Sequence, residues 1–570
     1  MIKEMEKALK RYLKGKNRIT MGVVVAFLLG SSFAFGDVTI KYDTATSTLI
    51  VQDDLGNDKG TVTKNSDNEF IWTLPEGTNI TETVKIDNTV NVNNIKVNIV
   101  NSGNISGSST GGDKSGNGIF SYSDTSSSII GNIINSGTIN GSTTGIGNNS
   151  GNGIHSYSDS DSTIGDITNS GTISGNSNII NNVTDYLGNG IYSYSTNGAS
   201  TIGNIINNGN INGNINDNSI RNGKNSGHGI YSYSGSDSII GNIINNGTVS
   251  GSTIGDGDKS GNGIYSYSEN GTSTIGDITN SGTISGKNTG GSYSGNGIYS
   301  YSYSELCSTI GNIINSGTIS GNGTGGNMSG NGIFSASSES IIGNIINYGI
   351  ISGNNIRSDG GNGIYSRASS HTSPSESKIG NITNYGTING NGRDVSGGNG
   401  IFSSSGTNLS STSSKIGKIT NYGIISGTIN GNGTAEIGNG IFSYSSKSGS
   451  SIIESISNTG VIIGNNSGSG SSRDDSGNGV FSSSAGSSII ESISNTGVIM
   501  GSNNGIYIKG DSSSKIDKYS NYGLVIGQTP VKIEGGGIVN TLKEQGMAIT
   551  LDGSGDITSI TSGTGGSTGI

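Results

Sequence analysis

One phrase is repeated along most of this chain, and it constrains the fold more than any other feature. At Gly261–Gly286 it reads GNGIYSYSENGTSTIGDITNSGTISG, and variants return from near residue 90 to near residue 526. Its regular marks are a Gly-x-Gly-Ile/Val-aromatic step and an Asn-x-Gly step, recurring at intervals that scatter around ~35 residues. A unit of that size cannot bury its own apolar side, so successive units must stack and share a core.

Each unit holds three short β-branched runs bounded by Gly, Asn and Ser, which read as strands and turns rather than helix. In the opening example these are Gly263–Ser268, Ser273–Asn280 and Gly282–Gly286. The variation in period falls in the polar connections, so the strands keep register while loops absorb the differences. The reading is all-β: a parallel β-helix of about 12–13 three-strand coils, a rod some 60 Å long at a strand spacing of ~4.8 Å. Ile264, Ile275, Ile278 and Ile284 are expected to fill its core, with small Ser residues also turned inward.

The asparagine closing the second strand stands at Asn135, Asn169, Asn245, Asn280 and Asn315, among others, and glycine follows two residues later, as at Gly137 and Gly282. These positions are expected to form a structural corner. The Asn amide bonds to the next coil and tolerates a left-handed turn, while Gly lets the backbone bend tightly.

Outside the repeat, residues 1–36 combine a long Lys/Arg-rich header, the apolar run Met21–Leu29 and a small-x-small site at Ala34 and Gly36, as in an extended secretory signal. Residues 37–90 lack the repeat but carry β-like runs and the single tryptophan, Trp72, and are expected to cap the open N-terminal end. The repeat occupies 91–527, and 528–570 reads as a further irregular coil.

The formal net charge is -10, and it is more negative without the basic header. Such a surface disfavours nucleic acid and anionic membranes as partners. With Cys307 alone, no intramolecular disulfide or cysteine metal cluster can form.

Chemistry-bearing residues are scarce. His155 occupies an aromatic slot, His228 replaces Asn in a Gly-x-Gly step and His371 lies in an insertion; without partners at ligand or catalytic spacing, all three are expected to be solvated substitutions. Gly510–Ser514 lacks the glycine that should follow a nucleophilic serine. Asp256–Asp258 and Asp159–Asp161 fit no calcium loop and read as solvated acids. Arg367 and Lys415 are isolated cations. No catalytic residue, metal or cofactor is assigned.

The pattern that rises above this background is aromatic. If the Ile of the first strand points inward, the next residue points outward, which gives a column through Phe120, Tyr192, Tyr231, Tyr265, Tyr299 and Tyr365. A second column two residues on contains Tyr194, Tyr233, Tyr267 and Tyr301. The reading takes both as an exposed ladder suited to sugars or protein partners.

Units such as Ile313–Gly321 alternating with Gly-Asn-Gly-Ile-Tyr, behind the long header, resemble the passenger domains of Gram-negative autotransporters. That resemblance covers nearly the whole chain. It implies a right-handed β-helix, export through the periplasm to the cell surface or medium, the help of outer-membrane assembly machinery, and action as an adhesin or biofilm component on host or neighbouring-cell glycans or proteins. A monomer able to self-associate is expected. The terminal membrane β-barrel usual in that family is not evident after Gly553, and a fragment ending before the barrel is expected. The alternatives are a carbohydrate-active β-helix enzyme and, from the outward Thr and Ser around Ile284 and Ile319, an ice-binding repeat.

Overall fold

The computed structural model describes residues 37–562 apart from 67, 179–184, 217–223, 256, 305, 356–359, 371–373, 394–396, 408–411, 430–437, 447–448, 468–474 and 553–555. The signal-like header and His371 therefore lie outside the described residues.

The described residues wind into a parallel β-solenoid bounded by three sheets of 16, 24 and 16 strands. Each repeat contributes one turn of it. In the opening example, Ile264–Ser268 joins the first sheet, Ser273–Ile275 and Ile278–Asn280 the second, and Thr283–Asn288 the third. Like pairs with like one coil on: Ile264 with Ile298, Tyr265 with Tyr299, Asn280 with Asn315 and Ile284 with Ile319. A one-residue slip would exchange the isoleucine face for the tyrosine face, so the pattern itself fixes the register.

The second strand is split where the sequence turns at Gly276-Asp277, and the Asp277 carboxylate accepts the Asn312 amide N–H at 2.6 Å. The break closes late in the rod, where Gly-Lys and Glu-Ser replace that step and single strands run through Thr412–Asn421 and Ser450–Asn458.

The interior has two halves. Ile264, Ile275, Ile278 and Ile284 belong to one continuous stack of fully buried side chains running the length of the rod, each stabilising by roughly 1.5–3 kcal/mol relative to exposure. Beside them runs a zigzag of serine hydroxyls. Ser266 meets Ser273 at 3.0 Å, Ser273 meets Ser300 at 2.9 Å, Ser300 meets Ser308 at 2.9 Å and Ser308 meets Ser335 at 3.0 Å. Each hydroxyl both donates and accepts, so a polar seam can be buried here without desolvation loss.

The corner is a hydrogen-bonded ladder. Asn135 Nδ2 donates to Asn169 Oδ1 at 2.8 Å, Asn245 to Asn280 at 2.7 Å and Asn280 to Asn315 at 2.8 Å, all buried. The backbone reason differs from the expected one. Neither the corner asparagines nor Gly137 and Gly282 have positive φ. Glycine is required there by the coil beneath: a Cβ on Gly282 would lie 2.0 Å from the Gly247 carbonyl oxygen, and one on Gly137 1.9 Å from that of Gly103.

The stacking starts inside the segment expected to be a separate cap. Glu69–Leu74 already pairs in parallel with Lys96–Asn101, and Val84–Ile86 with Ile119–Ser121. The antiparallel hairpin of Val38–Asp43 with Thr48–Gln52 lies against this coil. Trp72 is wholly buried and donates its indole N–H to the Lys59 carbonyl at 2.8 Å, a packing role as expected. At the other end Thr529–Glu534, Ile538–Glu544 and Met547–Leu551 form a further coil, and Ile557–Ser562 runs antiparallel to its last strand.

Candidate functional site

The aromatic columns do leave the outer side of the first sheet, but they do not reach solvent. Tyr192, Tyr231, Tyr265 and Tyr299 have no exposed surface, and Phe120 and Tyr365 retain 5% each. In the second column Tyr233 and Tyr267 are buried, while Tyr194 and Tyr301 are partly buried. The expected exposed ladder is thus a second apolar core, separate from the isoleucine stack.

What covers it, among the described residues, is the Gly/Ser-rich connection leading into the first strand. In the coils from Gly118 to Gly332, four residues before the Gly of the Gly-Ile step, the chain takes a left-handed turn at a non-glycine residue, as at Lys114, Tyr186, Lys259, Tyr293 and Met328. A second left-handed residue, a glycine, follows two positions later, as at Gly116, Gly261 and Gly295. The first of these residues folds back over the rings. Lys114 Nζ stands 3.6 Å from the Tyr122 ring centre, Lys259 Nζ 4.1 Å from that of Tyr267, and Tyr186 lies 5.4 Å from Tyr194, edge to face. Alternation within a strand gives direction; it does not report what a loop lays on top, and the recurring residue before Ser-Gly-x-Gly was the signal available for that.

Within the covered layer the rings stack face to face. Tyr231 and Tyr265 are 5.0 Å apart and Tyr265 and Tyr299 4.7 Å, nearly coplanar in orientation. Burial raises these phenols well above their ordinary pKa. Their hydroxyls meet no protein partner, consistent with phenylalanine in the same column at Phe334, Phe442 and Phe481.

The histidine expectation is also corrected. His155 and His228 are completely buried, and burial pushes both rings down to about 3, helped at His155 by the nearby Lys114 charge. His155 stacks on Tyr192 at 4.7 Å. His228 stands in a second asparagine ladder that sequence reading missed. In it Asn262, Asn296 and Asn331 are linked side chain to side chain at 3.0–3.1 Å, and His228 Nδ1 accepts the Asn262 backbone N–H at 3.2 Å. The acids of the Asp159–Asp161 stretch are not free either: Asp161 accepts the Ala199 N–H at 2.8 Å. Lys415 pairs with Glu454 at 2.8 Å. Among the described residues, no three His, Cys, Asp or Glu gather into a group that could hold a metal ion.

Two aromatic features remain on the outside among the described residues. One is a tyrosine stack at the corner itself, in the slot between the ladder asparagine and its glycine. Tyr348, Tyr385 and Tyr422 stack at 4.9 and 4.8 Å, with 56%, 48% and 50% of each residue exposed and Ile350 and Ile424 exposed beside them. Other coils place Ser136, Ser170, Asn246, Ser281 or Thr459 in that slot. The fixed Asn and Gly on either side could have found it, because a residue between two inward-held neighbours must point out.

The other is a notch where the second aromatic column is interrupted. Tyr301 is followed in register by Ala336 and then Arg367. The missing ring leaves a cavity of about 430 Å³ at Ala336, bordered by Tyr293, Tyr301, Tyr303, Met328 and Arg367 together with serines of the same coils. Tyr267 stacks on Tyr301 at 5.5 Å, and in the following coil Ala336 supplies no ring. The Arg367 guanidinium reaches back over the gap to the Met328 sulfur, and Tyr303 stands 69% exposed at the rim.

This arrangement defines a parallel β-solenoid protein with an aromatic outer layer. Compared with protein-family models, with curated proteins and with solved structures, the chain matches none.

Proposed function

We propose that this protein is an adhesive rod, exported by its N-terminal leader in the manner of an autotransporter passenger and displayed on the cell surface or released, where it engages glycans or proteins of host or neighbouring cells. The observation that carries the reading is the stack of Tyr348, Tyr385 and Tyr422. The corner needs only Asn and Gly, so three half-exposed tyrosines with Ile350 and Ile424 beside them add apolar surface where the scaffold gains little from it. Amphipathic rings of this kind supply contact area at small entropic cost. A solenoid suits the task because its coils hold such a patch rigidly and at a fixed height along the rod.

The test is adhesion of the purified protein to cultured cells and to a growing biofilm, with Tyr348, Tyr385 and Tyr422 each changed to Ser. The triple variant should keep its circular dichroism and melting midpoint and lose at least about five-fold in adhesion, since hot-spot tyrosines cost more than ~1 kcal/mol each when removed. Full adhesion by the folded variant would reject the patch as the adhesive surface.

A further inference from the structure

We propose that the notch at Ala336 is a binding site for a pyranose carrying a carboxylate, such as a uronic or sialic acid unit of a surface glycan; the idea rests on the adhesive reading for its biological use but not for its chemistry. Three observations converge on it.

The first is an aromatic wall that lacks its next ring. From Tyr122 to Tyr301 the second column is a continuous stack in which each inner ring lies between two others. At Tyr301 the neighbour on one side is Tyr267 and on the other Ala336. A methyl group fills a small part of the space a phenol would take, and Tyr301 borders the resulting cavity together with Tyr293, which stacks on it at 5.9 Å. The face of an aromatic ring is the surface on which the C–H side of a pyranose packs.

The second is charge. Arg367 occupies the position one coil beyond the gap and its guanidinium lies across it, in contact with Met328. Among the described residues it makes no salt bridge, and no carboxylate lines the cavity. A guanidinium offers paired N–H donors matched to a carboxylate, and on a chain of net charge -10 it marks the place where an anion is favoured.

The third is size and lining. About 430 Å³ falls at the lower end of ligand pockets, enough for one or two sugar rings. Tyr303 stands at the mouth as a second aromatic wall, and Ser338 and Ser369 line the site beside Arg367. The combination of apolar ring, single cation and serines matches one charged group on an otherwise hydroxylated, flat ligand.

The experiment titrates the full chain with D-glucuronate, N-acetylneuraminate and neutral D-glucose, followed by saturation-transfer NMR and calorimetry. At least one acid sugar should bind in the millimolar range and ten-fold or more tighter than glucose; which of the two does so identifies the source. Ala336→Tyr restores the missing ring, so it should abolish acid-sugar binding while leaving the melting midpoint equal or higher. Arg367→Gln should bring the acid down to the level of glucose. Binding that survives Ala336→Tyr, equal binding of glucose, or no acid-sugar binding by the folded wild type would each overturn the proposal. Should Ala336→Tyr fail to fold, Arg367→Gln decides. Cell adhesion is scored separately through the Tyr348, Tyr385 and Tyr422 variants, so either reading can fail alone.

Discussion

Tyr265 lies between Tyr231 and Tyr299 with no exposed surface, while Tyr385 lies between Tyr348 and Tyr422 with half of its surface in water. Both stack at nearly the same distance; what differs is whether a connection crosses above. At this scale the buried histidines give a pH signature. His155 and His228 are held neutral, with folded pKa values pushed down to about 3 against ~6.5 in an unfolded chain. A depressed histidine contributes fully above about pH 6.5, and its contribution is lost as pH falls from there toward 3, because only the unfolded state takes up the proton. Going from pH 7 to pH 5 should therefore cost roughly 2 kcal/mol per histidine. In the double variant His155→Phe, His228→Asn, which installs the residues usual in each column, the denaturation midpoint should fall less over that interval. An equal fall would refute the burial of these rings.

Among the elements, the coil-to-coil ladders dominate. Asn280, the Ser266–Ser273 pair and Asn262 each repeat one interaction along the rod, and the corner ladder ends where Asn521 donates to Glu544 at 2.6 Å. Gly282 marks how closely the coils approach. Gly282→Ala puts a methyl carbon against the Gly247 carbonyl, so it should destabilise by about 1–3 kcal/mol. Ser281→Ala, on the exposed neighbouring position, should change stability by less than about 0.5 kcal/mol. Equal denaturation midpoints for the two variants would contradict the close coil contact. Much of this level was readable from the chain. Periodic Ile gave the core, Asn-x-Gly the corner and Ser in phase the inward seam, because each must recur wherever strands pair with copies of themselves. The split second strand was not readable, since a single Gly-Asp or Gly-Asn step looks the same within a strand as at a shallow bend.

The molecule as a whole is layered: isoleucine and serine inside the sheets, aromatic rings outside one sheet, and a skin of left-handed turns over the rings. The candidate sites were legible only in part for that reason. The columns of Tyr192 and Tyr194 were correctly aimed outward, yet Tyr186, Lys259 and Tyr293 share a fixed offset from the Gly-Ile step without sharing a residue type, so their common role as a cover does not show as a pattern of chemistry. The notch at Ala336 could be seen in the sequence as a break in a column, but not as a cavity, because its depth depends on those same turns.

The covering of the rings is the claim on which the rest depends, and nitration of the native protein by tetranitromethane, with each tyrosine mapped by mass spectrometry, tests it most directly. Tyr303, Tyr348, Tyr385 and Tyr422 should be modified quickly, and Tyr192, Tyr231, Tyr265 and Tyr299 should stay unmodified until the protein is unfolded. Rapid native-state nitration of the latter four would contradict the account and return the columns to the surface.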